Sequence, residues 1–211
     1  MLMKVKEAHE ITGGLSVPSK MPCFGFSITA KACKTGGKLR DVVGSICSKC
    51  YALKGRYGFP NVQNALQSRL EKLTNPRWVN ALAFLINRKE KSGFFRWHDS
   101  GDLQSVAHLR QIAEVCKLTP KITHWLPTRE FSTVSEYIEK YGALPENLTV
   151  RLSALMFDGP APEAIAKRLG LTTSGASAQD FSCPASKQGN KCLDCRACWS
   201  KDVKNINYKK H

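Results

Sequence analysis

The sequence predicts an α/β protein, a partial, open β/α barrel with a cysteine-rich C-terminal extension. Three observations predict it. Apolar residues alternate between strand period and helix period through roughly five successive units, the order that gives a parallel sheet flanked by helices. The units are too few to close an eight-stranded barrel. From Phe181 onward the alternation stops and cysteines dominate the pattern.

The elements follow in order. Phe24-Gly25-Phe26-Ser27-Ile28 alternates like a strand, and the long loop after it carries Cys33, Cys47 and Cys50. Asn75 caps a helix with Pro76 at its first position, and Trp78, Leu82, Leu85 and Ile86 mark its apolar face. Phe94-Phe95-Arg96-Trp97-His98 is the second strand. A helix over 105–117 carries Val106, Leu109, Ala113 and Cys116 on one stripe, so Cys116 is a core thiol. Residues 122–126 form the third strand. Thr133 and Glu136 have capping-box spacing, and their helix stops at Gly142. Residues 148–152 form the fourth strand, 161–169 a helix ended by Gly170, and 171–178 the fifth strand. The division is then a barrel segment over 1–180 and a cysteine-rich tail over 181–211, packed on the same domain.

Such folds place their chemistry at the carboxyl ends of the strands. The residues there are the Cys33/Cys47/Cys50 loop, His98-Asp99-Ser100-Gly101-Asp102, Pro127-Thr128-Arg129-Glu130, Arg151-Leu152-Ser153 and Ser174-Gly175-Ala176-Ser177. Asp99 and Asp102 suit a cofactor amine, a proton or a helix cap. Arg129 and Arg151 suit a carboxylate or phosphate, or an ordinary ion pair. His98 and His124 read first as structural histidines.

Composition narrows the function. The 211 residues are 42% hydrophobic and 23% charged, which excludes a disordered or low-complexity chain. No run is long and apolar enough for a membrane span, and residues 1–12 lack a signal-peptide core. A cytoplasmic location is the expectation, in a reducing compartment where nine clustered cysteines read as metal ligands before disulfides. Lys plus Arg number 32 against 17 Asp plus Glu, a net charge of +15. That balance attracts phosphates, nucleic acid above all, or offsets a buried anionic centre.

The strongest motif is Cys183-x8-Cys192-x2-Cys195-x2-Cys198. C-x2-C-x2-C is iron–sulfur spacing, because short loops deliver successive thiolates to different irons of one cube. Zinc is the competing reading, since four thiolates also close a tetrahedral site. The second group is Cys33-x13-Cys47-x2-Cys50, with Cys23 ten residues earlier. Three ligands leave one iron open to substrate or cofactor; Cys23 or a C-terminal cysteine closes it otherwise. Seven Lys/Arg stand against Asp41 alone between Lys31 and Arg56, and seven against two acidic residues from Cys183 on. Such cations stabilise a negatively charged thiolate cluster, or face nucleic acid.

Several of these pieces resemble the phage gene-product-88 family. They are Ser45-x-Cys47-x2-Cys50-Tyr51-Ala52 with Gly55-Arg56-Tyr57, Arg96-x-His98-x-Ser100-Gly101-Asp102, Thr128-Arg129, Arg151-x-Ser153, Cys183-Pro184 and Cys192-x2-Cys195-Arg196-x-Cys198-Trp199. That family looks like a small relative of radical S-adenosylmethionine (SAM) proteins. The resemblance implies a partial barrel with a 4Fe–4S cluster on Cys33, Cys47 and Cys50. It implies SAM on the fourth iron, near Ser100, Gly101, Asp102, Arg129, Arg151 and Ser153. It also implies an auxiliary cluster, or shared ligands, on Cys183, Cys192, Cys195 and Cys198. The chain departs from that superfamily in its long Cys33–Cys47 gap and in its approximate Gly-Gly-Glu motif.

The first expectation is therefore an iron–sulfur protein with redox or radical chemistry, in the host cytoplasm if phage-encoded. The alternatives are a basic nucleic-acid-binding protein stapled by metal, and a zinc protein that regulates a host partner.

Overall fold

The structure, a computed structural model, describes residues 3–210. Met1, Leu2 and His211, the outermost residues of the two predicted segments, lie outside the described residues. Among the described residues one parallel sheet carries six strands in sequential order: β1 (Gly25–Phe26), β2 (Phe94–Trp97), β3 (Thr123–Thr128), β4 (Leu148–Ser153), β5 (Thr172–Ser177) and β6 (Asn205–Lys209). The two end strands do not pair with each other, so the sheet is open. The helices are α1 (Val5–Thr12), α2 (Lys34–Lys38), α3 (Pro60–Glu71), α4 (Trp78–Lys89), α5 (Val106–Leu118), α6 (Phe131–Tyr141) and α7 (Glu163–Leu169). No helix among the described residues is long and apolar enough to cross a membrane.

Side-chain alternation sorts the sheet into two faces. Phe95 and Trp97, Leu126, and Leu148, Val150 and Leu152 join the main core with Trp78, Leu82 and Ile86 of α4, Leu109 and Ile112 of α5 and Val134 of α6. The opposite face belongs to the tail. There Trp125 packs with Cys23, Cys198, Trp199 and Ile206, with Phe94 and Tyr208 alongside. The link from β5 to β6 thus differs from the earlier crossovers. It lies over the face the helices leave free, and it is held by 3-10 turns at Pro184–Lys187 and Ala197–Trp199 in place of an α-helix.

Several sequence expectations are corrected. Helix α4 begins at Trp78, because Asn75 Oδ1 accepts the Arg77 N–H and closes a turn ahead of it. Helix α6 begins at Phe131, before Thr133, so Thr133 and Glu136 are interior and form no capping box. The stops at Gly142 and Gly170 stand, both with positive φ. Helices α1 and α3 escaped the reading. On α3 only Leu66 is fully buried, so its apolar stripe is thin. The tail returns as β6, whose pattern holds just Ile206 and Tyr208 among polar neighbours.

A cavity lined by two cysteine groups

The loop after β1 is built to present Cys33 and Cys47 together. Glu130, at the end of β3, accepts from the Thr35 N–H at 2.8 Å and from its hydroxyl at 2.9 Å, pinning the start of α2 beside Cys33. Gly36 follows. A Cβ there would lie 3.4 Å from Cys47 Sγ, 3.8 Å from Cys33 Sγ and 3.1 Å from Cys33 Cβ. Both sulfurs therefore close over bare backbone. Cys47 and Cys50 share a 3-10 turn in which the Cys50 N–H donates to the Cys47 carbonyl at 3.2 Å. Ser45 fixes that turn, its Oγ accepting from the Ser48 N–H at 2.9 Å. Two phenols then fasten the loop to the end of β2. Tyr51 donates to the Asp99 carbonyl at 2.6 Å, and Tyr57 donates to Asp99 Oδ2 at 2.5 Å.

The tail group is held by backbone. The Cys183 N–H donates to the Asn207 carbonyl of β6, the Cys192 N–H to the Lys20 carbonyl and the Cys195 N–H to the Cys192 carbonyl, all at 2.9–3.0 Å. Trp199 Nε1 donates to the Phe95 carbonyl at 2.9 Å. Cys198 Sγ lies 3.4 Å from the Tyr208 hydroxyl. Cys23 packs with this group, beside Cys198, and its thiol is raised partly by Cys192. It is not in the lining of the cavity that Cys33, Cys47 and Cys50 face.

The two groups face a single cavity of about 710 Å³. Cys33, Cys47 and Cys50 line one part and Cys183, Cys192 and Cys198 another, whereas Cys195 is not in the lining. Cys116 is fully buried in α5, in the helical core, as its stripe predicts. Burial pushes the Cys33 thiol up to about 12, with Asp102 and the neighbouring thiols adding to it. Burial raises Cys47 as well, and it lifts Cys23 to about 12 and Cys198 to about 11. At neutral pH these sulfurs therefore keep their protons.

The other predicted residues divide. Ser100, Gly101, Asp102, Arg129 and Ser153 line the cavity. Gly101 has φ +83° and comes so close to Ile28 that a Cβ would sit 2.4 Å from its Cγ1. The Asp102 carboxylate is already engaged, accepting from Thr128 Oγ1 at 2.6 Å, the Arg129 N–H at 2.9 Å and the Leu103 N–H at 2.8 Å. It clasps the ends of β2 and β3; burial raises its pKa to about 6 against those hydrogen bonds. Ser153 and Ser174 meet at 3.1 Å. Arg129 turns its Nε to the Ala154 carbonyl at 3.0 Å.

Arg151 is corrected. It is fully buried, and its guanidinium donates to five carbonyls: Cys198, Thr173, Val203, Ala197 and Ser200, at 2.7–3.2 Å. It binds the tail to β4 and has no donor left for a cofactor. His124 is also structural, with Nε2 2.8 Å from Thr119 Oγ1 and its ring stacked on Trp97.

Arg96, Tyr51, Tyr57 and Tyr208 line the cavity and were missed as site residues. The signal was present for Arg96. Phe95 and Trp97 claim the helical face of β2, so strict alternation turns Arg96 toward the other face, where a cation needs a reason.

Among the described residues no three His, Cys, Asp or Glu side chains converge tightly enough to hold one metal ion. A tetrahedral zinc ion with bonds of about 2.3 Å requires its sulfurs about 3.8 Å apart. A cube is a wider object, each thiolate meeting a different iron. Six cysteines line one open space, with glycine backbone beneath the sulfurs of Cys33 and Cys47.

A family model described as Gene product 88 matches residues 1–201. No curated protein and no solved structure matches the chain.

Proposed function

The chain belongs to the gene product 88 family, and from that premise we propose that it is an iron–sulfur protein whose two cysteine groups serve one cavity. The observation that carries this reading is the convergence of Cys33, Cys47 and Cys50 with Cys183, Cys192 and Cys198 on the same 710 Å³ space. Cys33, Cys47 and Cys50 would hold a 4Fe–4S cluster with one iron free of protein thiolate. The tail cysteines would hold a second cluster or complete the first. When bound, such a group supplies one-electron transfer.

The chain's own residues supply the setting. Trp125 and Trp199, with their rings 5.2 Å apart, pack with Cys198 and shield it from water. Lys49, Arg56 and Arg129 offset thiolate charge at the cavity. The sequential parallel order, with the site at the strands' carboxyl ends, supports reading the sheet as a section of a β/α barrel related to radical SAM proteins. In that reading SAM lies against Ser100, Gly101, Arg129 and Ser153. Asp99 is then the better partner for its ammonium. Its Oδ1 has no hydrogen-bond donor among the described residues, whereas the oxygens of Asp102 are spent. Zinc is the competing occupant of the same cysteines, and metal analysis separates the two.

Anaerobic purification tests the proposal through the visible spectrum and through iron and acid-labile sulfide analysis. A broad absorbance that bleaches on reduction, with iron and sulfide in equal amounts, supports it. Colourless protein with stoichiometric zinc rejects it.

A further inference from the structure

Arg96 is a cation that makes no ion pair among the described residues, although the Asp99 carboxylate acts on it through space. Its guanidinium carbon lies 4.6 Å above the Trp125 ring. Its Nη1 reaches only Met21 Sδ, at 3.6 Å, and its Nε is buried with no partner. Among the described residues the ion pairs are Arg77–Glu7, Lys117–Glu114 and Lys210–Asp158, so no carboxylate comes within 4.0 Å of Arg96. Of the other arginines near the site, Arg40 donates to the Ala30 carbonyl, Arg129 to that of Ala154 and Arg151 to the tail, while Arg56 lies exposed on the cavity lining. A guanidinium whose Nε is buried and unpaired is costly, and the Asp99 carboxylate offsets that cost only from beyond ion-pair distance.

The surroundings define what would complete it. The indole backs the guanidinium, and a planar fork of N–H donors recognises a carboxylate or a phosphate in bidentate fashion. Phenols and further cations stand around it, with Tyr51, Tyr208, Lys20 and Lys209 in the same lining. A volume of about 710 Å³ falls in the range of small-molecule sites. We propose that Arg96 anchors the carboxylate or phosphate of a small anionic ligand bound in the cavity. This site goes beyond the cluster proposal and does not require it.

The test uses the full-length protein purified without oxygen, titrated with inorganic phosphate and separately with succinate. Calorimetry and tryptophan fluorescence report binding, the latter through Trp125. At least one anion binds, and Arg96→Met weakens it tenfold or more. Arg96→Lys, which keeps the charge and loses the fork, also weakens it at least tenfold and serves where the methionine variant does not fold. Lys121→Met removes one exposed charge at the start of β3, the end of the strand away from the cavity, and changes binding less than twofold. Phosphate binding alone identifies a phosphorylated ligand; succinate binding alone identifies a carboxylate. Binding of neither, or binding equal in Arg96→Met and Lys121→Met, overturns the proposal. A colourless, iron-free protein that still shows Arg96-dependent binding sinks the cluster reading and leaves this one standing.

Discussion

Arg151 Nε donates to the backbone carbonyl of Cys198 at 3.0 Å, from the centre of the sheet to the last cysteine of the tail. A side chain that sequence position recommends for a ligand is instead the fastening of the segment that builds the site. Its other four donor contacts also end on carbonyls, three of them in the tail.

Arg151→Met leaves those buried carbonyls without donors and lowers the free energy of unfolding by about 3 to 5 kcal/mol. Urea denaturation measures the loss. Limited proteolysis shows the first cut moving into residues 184–200. A variant as stable and as protease-resistant as the parent would remove Arg151 from its fastening role.

Gly36→Ala places a methyl 3.4 Å from Cys47 Sγ and 3.1 Å from Cys33 Cβ. It separates the two thiols and reduces bound iron about as much as Cys47→Ser does. Gly37→Ala, next in sequence, meets nothing within 4 Å and leaves iron unchanged. Iron analysis of the two alanine variants side by side decides the point.

Glu130→Ala frees Thr35 and the start of α2. The expected loss in stability is about 1 to 2 kcal/mol. Amide exchange speeds up in residues 34–50 while β3 and β4 stay protected. Exchange that rises equally across the sheet would mean Glu130 supports the fold at large.

Burial alone depresses His108 to about 4 and His124 to about 3, from an ordinary value of 6.5. The folded protein therefore binds fewer protons than the unfolded chain between those values. The stability tied to these groups is complete above pH 6.5 and falls as the pH drops toward 4. Each costs about 2 kcal/mol at pH 5. The urea midpoint falls from pH 7.5 to pH 5, and His124→Gln makes that fall smaller. An unchanged pH dependence in His124→Gln would show that another group controls it.

The parallel α/β order was legible because α4 and α5 have broad apolar stripes and the strands between them carry Phe95, Trp97, Leu126 and Val150 at period two. Helix α3 was not, since it buries little, and neither was β6, which is a strand by its pairing with β5 more than by its residues. The cysteines announced themselves by spacing, but spacing is one-dimensional. It could not say that Cys23 sits with Cys198, because that contact depends on the tail folding back over the sheet. Nor could it separate Asp102, spent on Thr128 and Arg129, from Asp99, which keeps an oxygen without a donor among the described residues.

Under the proposed function both cysteine groups bind iron at one cavity. Iron and acid-labile sulfide, counted in anaerobically isolated protein and in its Cys47→Ser and Cys198→Ser variants, test it most directly. Matched iron and sulfide are expected in the parent, with a loss of both in each variant. Iron left untouched by either substitution, or zinc in its place, would contradict it.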